Sequence, residues 1–265
     1  MFEKMKKLLP IIILVLVTFS SCKYEKLLKS RDYKLKYTKA LEYYEEEDYV
    51  RADGLFEQLK PVLKGTKQAD TVFFYSAYCN YHQGNYLLAA YYFDEFRKTY
   101  GNSHFVEEAE YMNAYCNYKL SPRPSLDQSN TYQAISLFAL YMSRYPNSER
   151  IDECVQYVEE LRDKLAEKSF MSAKLYYEIG DYKAAVVALN NCLDEFPNSK
   201  HREEVMYLIL KSRFLLAENS IQEKQTERYQ LTVDEYYSFV GEFPESEHYK
   251  EAVNIFNQSQ SKLNN

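Results

Sequence analysis

The side chains that could do chemistry in this 265-residue chain are four histidines, five cysteines, several acidic runs and an excess of 28 tyrosines. Metal and hydrolytic chemistry need such groups at particular spacings. No His-Glu-x-x-His or Cys-x-x-Cys occurs, so the common zinc arrangements lack a ligand set. A Gly-rich phosphate loop and a Gly-x-Ser-x-Gly elbow are missing too. His104, His201 and His248 each follow a serine by one or two residues at an expected helix start, where a solvated imidazole is predicted. Glu45-Glu46-Glu47-Asp48 offers neighbouring carboxylates, but it ends an expected helix and reads as a solvated or partner-facing cluster. The chain is therefore expected to be no enzyme, with neither cofactor nor metal.

Cys22 offers a different chemistry. Lys4, Lys6 and Lys7 precede the apolar run Leu8–Phe19, which ends in Ser20-Ser21-Cys22, the layout of a secretory signal over residues 1–21. The run is shorter than the roughly 20 residues a membrane-spanning helix needs. Phe19-Ser20-Ser21 before Cys22 resembles a bacterial lipobox, which implies cleavage after Ser21 and acylation of Cys22 by palmitate-type chains. Each buried methylene of such a chain contributes about 0.8 kcal/mol to membrane anchoring. Lys23, not aspartate, follows Cys22, so an outer-membrane address is allowed, with residues 22–30 as a tether. The remaining cysteines, Cys79, Cys116, Cys154 and Cys192, recur at intervals of 37, 38 and 38 residues, one per expected helical unit. Buried core thiols are predicted there in preference to disulfides.

These residues must be positioned by helices. Gly and Pro total only 13, too few for the turns of a many-stranded sandwich or barrel. A hydrophobic fraction of 46% excludes a largely disordered chain, and a net charge of −6 disfavours nucleic acid as a partner. Ala77-Tyr78-Cys79-Asn80-Tyr81 recurs unchanged as Ala114-Tyr115-Cys116-Asn117-Tyr118, with Ala and Tyr four apart and hence on one helical face. A second signature recurs at Tyr100-Gly101-Asn102-Ser103, Tyr145-Pro146-Asn147-Ser148, Phe196-Pro197-Asn198-Ser199 and Phe243-Pro244-Glu245-Ser246. Its aromatic should end one helix, its Pro or Gly break it, and its Ser cap the next. Glu107, Asp152 and Glu203 then fall in first turns, at the positive end of the helix dipole. Between the stops lie the turns Gly84-Asn85-Tyr86, Gly180-Asp181-Tyr182 and Glu47-Asp48-Tyr49, each followed by a core-facing set such as Ala89, Phe93 and Phe96.

The pattern resembles the tetratricopeptide repeat (TPR) and predicts an all-α, right-handed superhelical solenoid. Five helix pairs are expected at about 31–65, 66–101, 102–146, 147–197 and 198–246, then a terminal helix, with an insertion at Leu120–Asn130. Grouped as domains, repeats one to three occupy 31–146 and the later repeats 147–265. First helices of TPR-type units line the groove, which would expose Tyr37, Tyr44, Phe74, Tyr78, Tyr81, Tyr111, Tyr115 and Tyr118 there. A ring with a polar tip can grip extended peptide without demanding one sequence.

The stretch from Tyr145-Pro146-Asn147-Ser148 through Leu161-Arg162-Asp163-Lys164-Leu165-Ala166 and Ala173-Lys174-Leu175-Tyr176-Tyr177 to Phe196-Pro197-Asn198-Ser199 resembles the BamD family of outer-membrane lipoproteins. The Ser21-Cys22-Lys23-Tyr24-Glu25-Lys26 start is similar to that family as well. The resemblance implies a non-enzymatic adaptor of the β-barrel assembly machinery, lipid-anchored in the outer membrane and facing the periplasm. Its amino-terminal repeats would recognise unfolded outer-membrane β-barrel proteins, and its carboxy-terminal repeats would dock a BamA-like POTRA-barrel protein. By position, Glu178, Asp181, Tyr182, Arg202 and Arg213 would mark that second surface. Two alternatives use similar repeats: a periplasmic TPR scaffold for cell-envelope coordination, and a SusD-like glycan-binding lipoprotein. The absence of Trp weighs against sugar stacking and the second of these.

Overall fold

The computed structural model describes residues 23–264; residues 1–21, expected to be a signal segment, and Cys22 lie outside the described residues. All regular elements among the described residues are α-helices, in two compact units. The first comprises residues up to Ser121 together with Ser129–Val155. It contains α1 (residues 23–29), α2 (Tyr33–Glu45), α3 (Tyr49–Leu63), α4 (Ala69–His82), α5 (Tyr86–Thr99), α6 (Val106–Leu120) and α7 (Ser129–Arg144). The second comprises Pro122–Gln128 and everything from Gln156 onward. It holds most of α8 (Ile151–Glu178), then α9 (Tyr182–Glu195), α10 (Arg202–Glu218), α11 (Gln222–Glu242) and α12 (Tyr249–Leu263). The α2/α3, α4/α5, α6/α7, α8/α9 and α10/α11 pairs are the five predicted repeats, and α12 is the terminal helix. From α2 to α7 each helix packs on the next, as do those from α9 to α12, which is the helix-pair stacking of TPR-like repeats.

The positions predicted to face inward do so. Ala52, Phe56, Leu59, Ala89, Phe93, Phe96, Ala185, Leu189 and Cys192 are all buried, as are the free thiols of Cys79, Cys116 and Cys154. Burial pushes the Cys116 thiol up to about 12, which keeps it protonated. In the duplicated motif, Asn80 donates to the carbonyl of Ser76 at 3.0 Å and Asn117 to that of Asn113 at 2.8 Å, so the sequence copy is also a structural one.

The serine signature works differently from the prediction. Ser103, Ser199 and Ser246 accept a backbone N–H two residues on, from Phe105 (3.3 Å), His201 (3.2 Å) and His248 (3.0 Å). They fold a turn ahead of the helix, while the N-cap residues are Phe105, His201 and His248 themselves. Each N-cap ring lies flat on an aromatic of the first helix in the preceding pair. Phe105 stacks on Phe74 (4.1 Å), His201 on Phe170 (4.5 Å) and His248 on Tyr207 (3.9 Å). Arg150, just before α8, fills the same place with its guanidinium 4.0 Å from the Tyr111 ring centre. His201 and His248 are thus not the solvated imidazoles expected: His201 also meets Glu167 at 2.7 Å, and only their place at a helix start was foreseen.

An acid three residues after each stacked group backs the contact with a hydrogen bond or ion pair to the preceding first helix. Tyr78 donates to Glu108, Tyr111 to Glu153 (2.9 Å), Lys174 pairs with Glu204 (2.7 Å) and Lys211 with Glu251 (2.8 Å).

Residues 22–30, expected as a tether, contain α1, which is packed in place. Tyr24, Leu27 and Leu28 lie against the α2–α4 core because they share one side of the short helix. The two compact units divide at Val155/Gln156, inside the unbroken 28-residue α8 to which the long fourth repeat owes its length. The 122–128 loop joins the second unit: Gln128 donates to the carbonyls of Arg123 (2.9 Å) and Leu126 (3.0 Å), and Lys168 also reaches Leu126 O (2.6 Å).

The inter-helix turns share a left-handed residue. Gly84 and Gly180 have φ of 77° and 82°, and Glu47 stands in their place with φ of 60°. A left-handed conformation costs an L-residue roughly 1–2 kcal/mol, partly offset by the entropy a glycine brings to the unfolded chain. Nothing lies within 4 Å of a Cβ built at Gly84, so the cost there is conformational alone. Urea unfolding should show Glu47→Gly more stable by about 0.5 kcal/mol and Gly84→Ala less stable by about 1 kcal/mol; the same sign for both would contradict the turn assignment.

Candidate aromatic interaction site

The eight groove aromatics predicted from sequence all lie in the first unit, on α2, α4 and α6, but the structure gives them different tasks. Phe74 and Tyr111 are 5% and 6% exposed, because they are the rings on which the next repeat stacks. They cannot meet a ligand, which corrects the expectation of exposure. Tyr78 is half-buried, with its hydroxyl held by Glu108, which also pairs with Arg150 at 2.8 Å. Burial, then the bond to Glu108, raises the Tyr78 phenol well above its usual range. Tyr37 packs on the α2–α3 core, and Tyr44 is wedged edge-on between Tyr49 (5.5 Å) and Tyr75 (4.6 Å). Burial raises the Tyr44 phenol too.

Tyr81, Tyr115 and Tyr118 form a connected strip. Tyr81 lies 6.1 Å from Tyr115, and Tyr115 stacks on Tyr118 at 5.7 Å with 20° between planes. All three are half-buried, and Tyr86 at the start of α5 extends the strip, 5.7 Å from Tyr81. The Lys119 ammonium sits within 6.0 Å of both the Tyr86 and Tyr115 rings, placing a cation at the edge of this surface. Burial pushes the Tyr81 phenol up to about 12, so that hydroxyl stays neutral at physiological pH.

A shallow cleft beside the strip was not foreseen. Tyr86, Leu87, Leu88, Tyr91 and Leu120 line it, and Leu87 is 73% exposed. A signal existed: Leu87, Leu88 and Tyr91 are apolar, yet they fall off the face set by Ala89, Phe93 and Phe96. Together, strip and cleft present rings, aliphatic groups and phenolic hydroxyls, the equipment for holding extended peptide.

In the second unit the predicted partner residues do not form one cluster. Glu178, Asp181 and Tyr182 gather at the α8/α9 turn, where Asp181 caps α9 by accepting the Ala184 N–H at 3.1 Å. Arg202 begins α10, a helix length away from that turn, and is engaged by Glu242 (3.0 Å) and the carbonyl of Pro197 (3.2 Å). Arg213 is tied to Glu235 at 2.9 Å, whose carboxyl burial raises despite the arginine. The turn carries what the sequence reading missed: exposed Leu175, Tyr176 and Ile179, the last 67% exposed. Single apolar residues on a surface are ordinary, but three around one turn mark an interaction patch.

No group of three or more His, Cys, Asp or Glu suited to a metal ion occurs among the described residues. No helix among them is long and apolar enough to cross a membrane. Cys22, the lipidation candidate, lies outside the described residues.

Among solved structures, the chain is similar to the TPR2AB-domain:pHSP90 complex of yeast Sti1 (11% identity, 86% of this chain and 98% of that one, TM-score 0.39). It is also similar to the TPR domain of P58(IPK) (14% identity, 91% and 68%, TM-score 0.42) and to the human IFIT1 dimer with PPP-AAAA (16% identity, 85% and 56%, TM-score 0.30). No curated protein matches the chain. The model of the YfiO family, described as outer membrane lipoprotein, matches residues 30–187 and 169–264. With nearly all of the described residues matched, the chain belongs to the YfiO family of outer membrane lipoproteins, the family of BamD.

Proposed function

We propose that this protein is the lipid-anchored adaptor of a β-barrel assembly machine, holding unfolded outer-membrane proteins with its first unit and a POTRA-bearing barrel protein with its second. The observation that carries the reading is the Tyr81–Tyr115–Tyr118 strip, with its apolar cleft, on a member of an outer membrane lipoprotein family. Rings at this spacing suit the alternating side chains of an extended strand, and the phenolic tips supply hydrogen bonds without fixing one sequence. Catalysis has no part in it: the protein supplies affinity and position. Acylated Cys22 would hold it at the outer membrane with its repeats in the periplasm, and the apolar rim at Leu175, Tyr176 and Ile179, with Glu178, Asp181 and Tyr182, is the proposed docking face.

Three experiments test separate parts of this proposal. Cys22→Ala should move the protein from the outer-membrane fraction to the soluble periplasmic fraction; unchanged fractionation would remove the anchor. Affinity capture followed by mass spectrometry should recover a POTRA-bearing barrel protein, and Ile179→Glu should abolish that recovery. Repeated recovery of glycan transporters would favour the SusD-like reading instead. Binding of a peptide copying the terminal strand of an outer-membrane barrel protein, followed by fluorescence anisotropy, should weaken about tenfold or more in Tyr81→Ala/Tyr118→Ala with helical circular dichroism unchanged. Equal affinity in the double variant would exclude the strip as the reading surface.

A further inference from the structure

The charge of this acidic chain is reversed at its membrane end. Between residues 23 and 39 there are seven cations (Lys23, Lys26, Lys29, Arg31, Lys34, Lys36 and Lys39) against two acids, Glu25 and Asp32, a local balance of +5 in a protein of net −6. Lys36 is buried and structural: its ammonium donates to the carbonyl of Leu28 (2.9 Å) and to Gln58 (2.6 Å). Lys39 is paired with Glu42. The other five are exposed, and none has an acid partner among the described residues. Unlike a floppy basic tail, they are held in place. Tyr24 donates to the carbonyl of Arg51 at 3.0 Å, and a Cβ at Gly54 would stand 2.4 Å from its hydroxyl, so the glycine leaves room for α1 to dock. With Tyr24, Leu27 and Leu28 turned to the core, Lys23, Lys26 and Lys29 fall on the outward side of α1. Exposed Tyr33 and Leu35 stand among Arg31 and Lys34, the mixture of cation and apolar group that settles at a lipid interface.

We infer that α1 and the start of α2 form a basic platform that lies on anionic phospholipid headgroups and fixes the orientation of the first unit at the bilayer. The proposal rests on the lipid-anchor reading for its location. Lys23 is the residue after Cys22, and at about 1.5 Å per helical residue Lys29 stands roughly 10 Å further along α1, about one Debye length at physiological salt. A lysine that close to an anionic surface raises affinity about fivefold.

The test uses the mature chain carrying Cys22→Ser, so that no acyl chain contributes and failure of the anchor reading cannot mask the result. Co-sedimentation with phosphatidylcholine vesicles should be weak, rise when about a third of the lipid is phosphatidylglycerol, and vanish near 1 M salt, where the Debye length is about 3 Å. Lys23→Gln/Lys26→Gln/Lys29→Gln should lower binding to the anionic vesicles at least about tenfold with helical circular dichroism unchanged. Lys183→Gln/Lys250→Gln/Lys262→Gln, on the second unit, should leave binding unaltered. Equal binding to both vesicle types, or equal losses in both triple variants, overturns the proposal. Failure to bind anionic vesicles, with an acidic protein captured through the same lysines, overturns it in favour of a protein partner.

Discussion

One contact recurs at the four junctions between successive first helices from α4 to α12: a planar group at the start of one rests on a ring of the one before it. Phe105 on Phe74, Arg150 on Tyr111, His201 on Phe170 and His248 on Tyr207 occupy equivalent places. A helix pair cannot bury its apolar face alone, so repeat proteins depend on such neighbour terms. A stacked ring pair contributes roughly 0.5–1.5 kcal/mol beyond its buried area, and its flat geometry sets the register of the incoming helix. The junction tolerates Phe, Arg and His because each presents a planar group. Arg150 even leaves its Nη1 buried without a hydrogen-bond partner while the guanidinium rests on the ring.

That constraint divides the tyrosines. A ring serving as a junction is sealed by the repeat placed on it, as Phe74 and Tyr111 are, so its position on a first helix does not make it part of a binding face. The rings near the helix ends, Tyr81 and Tyr118, lie about two turns further along, beyond the reach of the stacked N-cap, and are half-buried where Phe74 and Tyr111 are sealed. The proposed binding strip and a set of junctions therefore coexist on α4 and α6 at a separation of seven residues, as Phe74 and Tyr81 or Tyr111 and Tyr118 illustrate.

Much of this was legible from residue types and spacing. The Ala-x-x-x-Tyr copies, the Pro-Asn-Ser stops and the Gly84 and Gly180 turns located the helix pairs, because local backbone chemistry dictates them. Even Glu47 could be placed as a glycine substitute. What stayed hidden depends on contacts between residues about 30 to 40 positions apart. Nothing local distinguishes Phe74 from Tyr81, or predicts that His201 will lie on Phe170 and not in water. The packing of α1 was hidden for the same reason: Tyr24 meets Arg51 and Gly54, which lie two helices on. The splitting of the proposed partner set had a plainer cause, since Arg202 and Tyr182 are separated by the length of α9, which proximity in sequence conceals.

The hydroxyl group explains why tyrosine, more than phenylalanine, carries so much of this architecture. From α4 onward the first helices bring acids to their opening turns, where the helix dipole favours them, and on α6, α8, α10 and α12 one such acid meets the preceding repeat. A carboxylate held against a neighbouring repeat is steadied by a donor there. Tyr78 supplies one to Glu108, Tyr111 to Glu153 and Tyr141 to Glu107, while in the later repeats Lys174 and Lys211 answer Glu204 and Glu251. The first unit thus satisfies its junction acids mainly with neutral phenols and the second with ammonium groups. Phenol donors add no charge to the surface beside the strip, which suits it to extended, largely uncharged peptide, and leave the unpaired cations of α1 and early α2 as the distinct basic feature of that unit's amino-terminal end.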